Sequence, residues 1–204
     1  MMIKPSVLAS AAMLLISAGP GPKPETITCS VPVWATDTLA SLKGRFGKAA
    51  MIATVDGAEG EQSKALVLYG PDKARRIEVL FADDAMQQPA SLRWRGKGWR
   101  AGGLGIGDGI AAITKANGKG FGFFGFDWDY GGYVTNLNGG RLAKLPGGCS
   151  LSIRLDPPAG NHTPKALIGD KKILSSNPLL KRFAPSISEL TLNLRHPSGV
   201  KDDQ

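Results

Sequence analysis

"TDTLASLKGRFGK" (residues 36–48) and "GDGIAAITKANGK" (residues 107–119) align without a gap. Asp37 falls on Asp108, Leu39 on Ile110, Ala40 on Ala111, Leu42 on Ile113, Gly47 on Gly118 and Lys48 on Lys119. Each copy has an Asp where an N-cap would sit, apolar residues at helical spacing, and a Gly where a left-handed C-terminal residue belongs. The spacing predicts one short helix in each copy.

The likeness extends beyond the helices. Behind the first come "KALVLY" (64–69), the turn "GPDKAR" and "RIEVLF" (76–81), a hairpin signal, and then "SLRWRG" (91–96), where Leu92 and Trp94 alternate with Arg93 and Arg95. Behind the second come an aromatic strand, "GYVTNL" (132–137), the turn "NGG", "RLAKL" (141–145), the turn "PGG" and "CSLSIRL" (149–155). "ELTLNLR" (189–195) closes the unit, with Leu190, Leu192 and Leu194 in strict alternation. The expected fold is α+β: two tandem helix-plus-antiparallel-strand repeats, residues 29–100 and 101–195, with the helices on one face of a twisted antiparallel sheet. Residues 157–186, rich in Pro and Lys, form an insertion in the second repeat with a short helix at "NPLLKRF" (177–183), and residues 196–204 form a flexible tail.

The N-terminus reads as a signal peptide over residues 1–18, with Lys4 as the basic n-region and Val7–Ala18 uncharged. Pro20 and Pro22 blur the cleavage rule, so cleavage falls after Ala18 or in the residues up to about 24. The apolar stretch is shorter than the ~20 residues that cross a bilayer, so no membrane span is expected once it is removed. Periplasmic or secreted localisation is the consequence. In that oxidising compartment the chain's two cysteines, Cys29 and Cys149, are expected to pair.

"GLGIGDGIAAITKANGK" (103–119), "GFDWDYGG" (125–132), "LPGGCSLSIRLDP" (145–157) and "DGAEGE" (56–61) together resemble a family of small exported Gram-negative bacterial proteins, over most of residues 29–195. More distantly, the repeated helix followed by antiparallel strands resembles the tandem repeat of beta-lactamase inhibitor protein and the related outer-membrane assembly lipoprotein fold. The helix caps here are Asp, where Ser or Thr is common in that fold. That likeness implies a role in protein binding and carries over no catalytic residue.

Motif chemistry narrows the function by elimination. "GGLGIGDGI" (102–110) has neither the dinucleotide nor the P-loop glycine spacing. The two histidines, His162 and His196, lack further ligands at zinc spacing, so no metal or other cofactor is expected. No G-x-S-x-G marks a serine nucleophile. The carboxylates of "DGAEGE" do not match a calcium loop and read as a solvated turn, in which Glu59 is singled out only by the family resemblance.

"GFGFFGFDWDYGG" (120–132) holds four of the chain's seven Phe. As a regular strand it would place Phe124, Phe126, Trp128 and Tyr130 on one face and Asp127 and Asp129 on the other, ~6.5–7 Å apart, with a bulge near Phe123 and Phe124. Asp127, Trp128, Asp129 and Tyr130 are therefore the candidate binding residues, Trp and Tyr beside carboxylates being effective interface anchors. These features together indicate an exported, non-enzymatic binding protein whose partner is another envelope protein. One alternative is an envelope enzyme using Asp127 and Asp129 as acid and base. A second, resting on the net charge of +8, is a basic module that binds anionic polymer; the basic residues are scattered, and no nucleic acid is expected.

Overall fold

The computed structural model describes residues 23–194. In chain order the elements are β1 (Glu25–Thr26), α1 (Leu39–Phe46), β2 (Ala50–Asp56), β3 (Gln62–Leu68), β4 (Ile77–Phe81) and β5 (Pro89–Trp94). Then come β6 (Trp99–Ala101), β7 (Leu104–Gly105), α2 (Ile110–Asn117), β8 (Gly122–Phe124) and β9 (Val134–Asn136). β10 (Ser150–Asp156), β11 (Lys172–Leu174), α3 (Leu179–Phe183) and β12 (Ser186–Asn193) complete the chain. The fold is α+β. Residues 1–18 and 196–204, expected from sequence to be a signal peptide and a tail, lie outside the described residues.

Six strands form one antiparallel sheet in the order β10-β12-β5-β4-β3-β2. Strict alternation gives it two different faces. One carries Leu66, Leu68, Ile77, Val79, Leu92, Trp94, Leu190, Leu192, Ile153 and Leu155, all in one buried cluster with Leu42 of α1 and Ile113 of α2. Both helices thus cover the same face. The other face holds a small apolar cluster, Val55, Ala65 and Val67, and then the buried charges Glu78, Arg93 and Glu189.

Both helices end where the glycines place them, at Gly47 (φ 52°) and Gly118 (φ 75°). Their starts differ from the expected Asp caps by one residue. Thr38 caps α1 in a reciprocal capping box with Ser41, while Asp37 is buried and paired with Arg45. Gly109 precedes α2, because Asp108 turns away to accept from Arg100 (2.8 Å) and the Gly105 amide (3.0 Å). "RLAKL" is not a strand: Arg141–Ala143 is a 3-10 turn. Arg141 donates to the carbonyls of Lys115 and Ala116, and the Leu142 amide donates to Asn117 Oδ1, so this segment caps the C-terminus of α2.

The strands behind the two helices are arranged differently. β2 to β5 enter the main sheet as consecutive neighbours, whereas β8 and β9 pair in a separate sheet with β11, and only β10 and β12 join the main one. Residues 157–186 are integral to that smaller sheet: they supply β11, and Phe183 of α3 packs on Phe126 with ring centroids 5.6 Å apart. The Cys29–Cys149 disulfide fastens the N-terminal segment beside the start of β10. Among the described residues no helix is long and apolar enough to cross a membrane.

Candidate functional site: an aromatic and acidic rim above a charged sheet face

The stretch 120–132 begins as a strand and then leaves it. Phe121, Phe123 and Phe126 are buried in the main core, so the Phe-rich half is structural. The β8–β9 pairing shifts register between Gly122 and Phe123. At Gly125 the chain passes the backbone of residues 167–169 so closely that a Cβ would lie 2.8 Å from Leu167 O and 2.5 Å from Gly169 O. The Phe126 amide then donates to Leu167 O at 2.7 Å. Asp127 adopts φ 64°, a left-handed backbone that ends any extended path. The Gly131 amide donates to Trp128 O (2.8 Å), and the loop closes where the Phe124 amide donates to Tyr133 O (2.9 Å).

This geometry corrects the strand reading of residues 125–132. Asp127 and Asp129 do not share a strand face, and Phe124, Phe126, Trp128 and Tyr130 do not line up on the other: Phe126 is buried, while Tyr130 is 39% exposed. The fixed separation that made an acid and base pair attractive is absent. Asp127 instead accepts from the Thr163 hydroxyl at 3.2 Å, and both aspartates are exposed.

What the loop does bring together is a compact aromatic and acidic rim. Trp128 packs edge-on against Phe124 (5.2 Å) and Tyr130 (5.5 Å), and its indole N–H donates to Gly125 O at 2.9 Å. Glu59, in the turn between β2 and β3, is the carboxylate that acts most strongly on the Tyr130 hydroxyl. Glu59 first, then the charges of Glu61 and Asp129, raise the Tyr130 phenol above its ordinary 10.0. Glu59 itself sits at φ 54°, so the turn that aims it is strained. Trp128, Asp129 and Tyr130 are thus joined by Glu59 and Glu61 from a segment distant in sequence, while Asp127 is engaged by Thr163.

Both halves of the rim are anchored to the charged face of the sheet. Glu78 of β4 accepts from Arg93 (2.7 Å), Arg76 (3.1 Å) and Arg95 (3.4 Å). Burial pushes its carboxyl up, but the Arg93 guanidinium and then Arg76 and Arg95 outweigh burial and hold it below 4.5. Arg95 also reaches Glu189 of β12 at 2.5 Å, and the Tyr133 hydroxyl donates to Glu189 at 3.1 Å. Burial and the Glu189 charge raise the Tyr133 phenol. From this floor Arg93 donates to Asp56 O (2.7 Å), at the root of the Glu59 turn. Arg154 stacks on the Tyr133 ring (5.1 Å) and donates to Gly131 O (3.2 Å), within the aromatic loop.

The floor is internally paired, so its chemistry is positional: it fixes two loops that meet at Tyr130 and Glu59. Among the described residues no group of three or more His, Cys, Asp or Glu is placed to hold a metal ion. His162 is exposed, and His196 lies outside the described residues. In the sequence Arg93 and Arg95 stand out only as strand alternation, and Glu78 and Glu189 do not stand out at all. The signal that could have found them is the opposite-charge register of Glu78 against Arg93 on neighbouring strands.

Comparison with protein-family models, curated proteins and solved structures gives no match to this chain.

Proposed function

We propose that the chain is an exported, non-enzymatic binding protein of the cell envelope, and that its rim receives a basic segment of another envelope protein. The observation that carries this reading is the setting of Tyr130: an exposed ring, edge-on to Trp128, with Glu59, Glu61 and Asp129 around it on a chain whose net charge is +8. A Lys or Arg side chain laid on these rings gains a cation–π contact and carboxylate partners at once. Arg is the better fit, because its planar guanidinium can stack and form a bidentate pair together. The anchoring of both loops to the sheet lowers the ordering cost of binding.

Export rests on residues 1–18 as a signal peptide, and the Cys29–Cys149 disulfide accords with an oxidising compartment. The resemblances to small exported Gram-negative proteins and to the beta-lactamase inhibitor protein fold point the same way, and we read the two helix-led segments as diverged copies of one unit.

The test is capture from envelope extracts by the wild type, by Tyr130→Ala and by Asp129→Lys, both residues being exposed at the rim. The wild type should retain a partner that both variants lose and that salt releases. Recovery of the same partners by all three proteins would remove the rim from the binding surface.

A further inference from the structure

A groove of about 800 Å³ opens between α2 and α3 and shares no residue with the aromatic rim. Ile110, Ala111 and Thr114 of α2 form one wall, and Leu180 of α3 with Ser175–Asn177 forms the other. Its base runs along Gly107, Gly109, Pro185 and Ser186, where the Gly107 amide donates to Ile187 O (2.8 Å) and the chain before α2 bridges to the start of β12. The volume falls inside the ~300–1,000 Å³ range of small-molecule sites. Gly109 is not required by packing: its φ is −94°, and a Cβ there would meet only Pro185 O, at 3.7 Å. The absent side chain keeps the base of the groove open.

The charges around this groove are of one sign. Lys115 and Lys181, both exposed, line it from the two helices, and no carboxylate does among the described residues. Asp108 lies between the two lining glycines yet is withheld, because its carboxylate is engaged by Arg100 and the Gly105 amide. A cleft lined by cations over an apolar body selects an anion with an apolar tail. The walls are short, α2 having eight residues and α3 five, or ~12 Å and ~8 Å at 1.5 Å per residue. That length suits a medium-chain alkyl tail and is too little for a partner helix.

We propose that this groove binds a free single-chain aliphatic carboxylate, its tail between α2 and α3 and its head group between Lys115 and Lys181. The site does not depend on the rim.

The experiment uses dansyl-undecanoic acid as the fluorescent probe on the mature chain. Decanoate should displace it, and decyltrimethylammonium should displace it far less well. Lys115→Glu combined with Lys181→Glu should weaken probe binding roughly tenfold or more, the loss of two exposed ion pairs and their replacement by repulsion. Ala111→Trp, at an exposed position of α2 that lines the groove, should abolish it, near-UV circular dichroism checking that the fold persists. Equal displacement by the cationic and anionic amphiphiles, or unchanged probe affinity in the lysine double variant, would overturn the assignment. A phospholipid vesicle competing better than monomeric decanoate would overturn the free-acid form of it.

Discussion

Removing the Glu78 carboxylate should be among the most damaging single changes in the sheet. Glu78 is 6% exposed and its main partner, Arg93, is 9% exposed, so both are cut off from compensating water. Glu78→Ala deletes the acceptor of three guanidinium contacts at 2.7, 3.1 and 3.4 Å. Arg95 keeps Glu189, but Arg93 is left with the Asp56 carbonyl as its acceptor. Stranding a buried charge in this way costs about 3–5 kcal/mol, against total stabilities of about 5–15 kcal/mol for a domain. With an m value of about 2 kcal/mol/M the urea midpoint should fall by roughly 2 M. Exchanging the pair together, as Glu78→Leu with Arg93→Met, should recover most of that loss, because no charge is then stranded.

The same carboxylate predicts a pH signature. Its folded value lies below the ordinary 4.5, so the stability it contributes is complete above that value and is lost as pH falls through the folded one. The gap between wild type and Glu78→Gln should therefore be widest at neutral pH and narrow as pH falls below 4.5 and through the folded value. A Glu78→Ala cost below about 1 kcal/mol, the value of an exposed pair, would show that Arg93 finds other compensation. A gap to Glu78→Gln that does not change with pH would rule out the ionised carboxylate as the stabilising species.

Individual contacts lead to other outcomes. Cys29 and Cys149 are 120 residues apart, so Cys29→Ser with Cys149→Ser should lower stability by ~4–5 kcal/mol in the chain-entropy model, measured by urea unfolding. Glu59→Gln should lower the Tyr130 phenol toward 10.0 in an ultraviolet pH titration, and an unchanged titration would separate the two loops. Gly132→Ala should detach the aromatic loop from β10, because φ there is +78° and a Cβ would overlap the Leu155 carbonyl; Trp128 fluorescence should then shift to the red.

The parts legible in the sequence are those set by local rules. Gly47 and Gly118 end the helices because few other residues take a left-handed backbone there. Leu190 and Leu192 alternate because one sheet face is buried. The aromatic loop is not legible. Its turn is imposed by close approaches far away in sequence, Gly125 against residues 167–169 and Gly132 against Leu155. Nor does a strand pattern show that the polar face of β4, β5 and β12 is closed off, since the groups reaching it come from Asp56 and Tyr133. Of the rim, Asp127, Trp128, Asp129 and Tyr130 stand out by their composition alone. Glu59 draws attention only through the family resemblance, and its contact with Tyr130 is visible only in the folded chain.

Whether the rim receives a basic partner is tested most directly by titrating the nitrogen-15-labelled protein with a tetra-arginine peptide at low ionic strength and mapping the amide and indole shifts. Saturable shifts are expected at Glu59, Asp129, Tyr130 and the Trp128 indole N–H, removed by Tyr130→Ala and by added salt. Shifts confined to other surfaces, with residues 127–130 and 59–61 unmoved, would place the basic partner elsewhere and contradict the assignment of the rim.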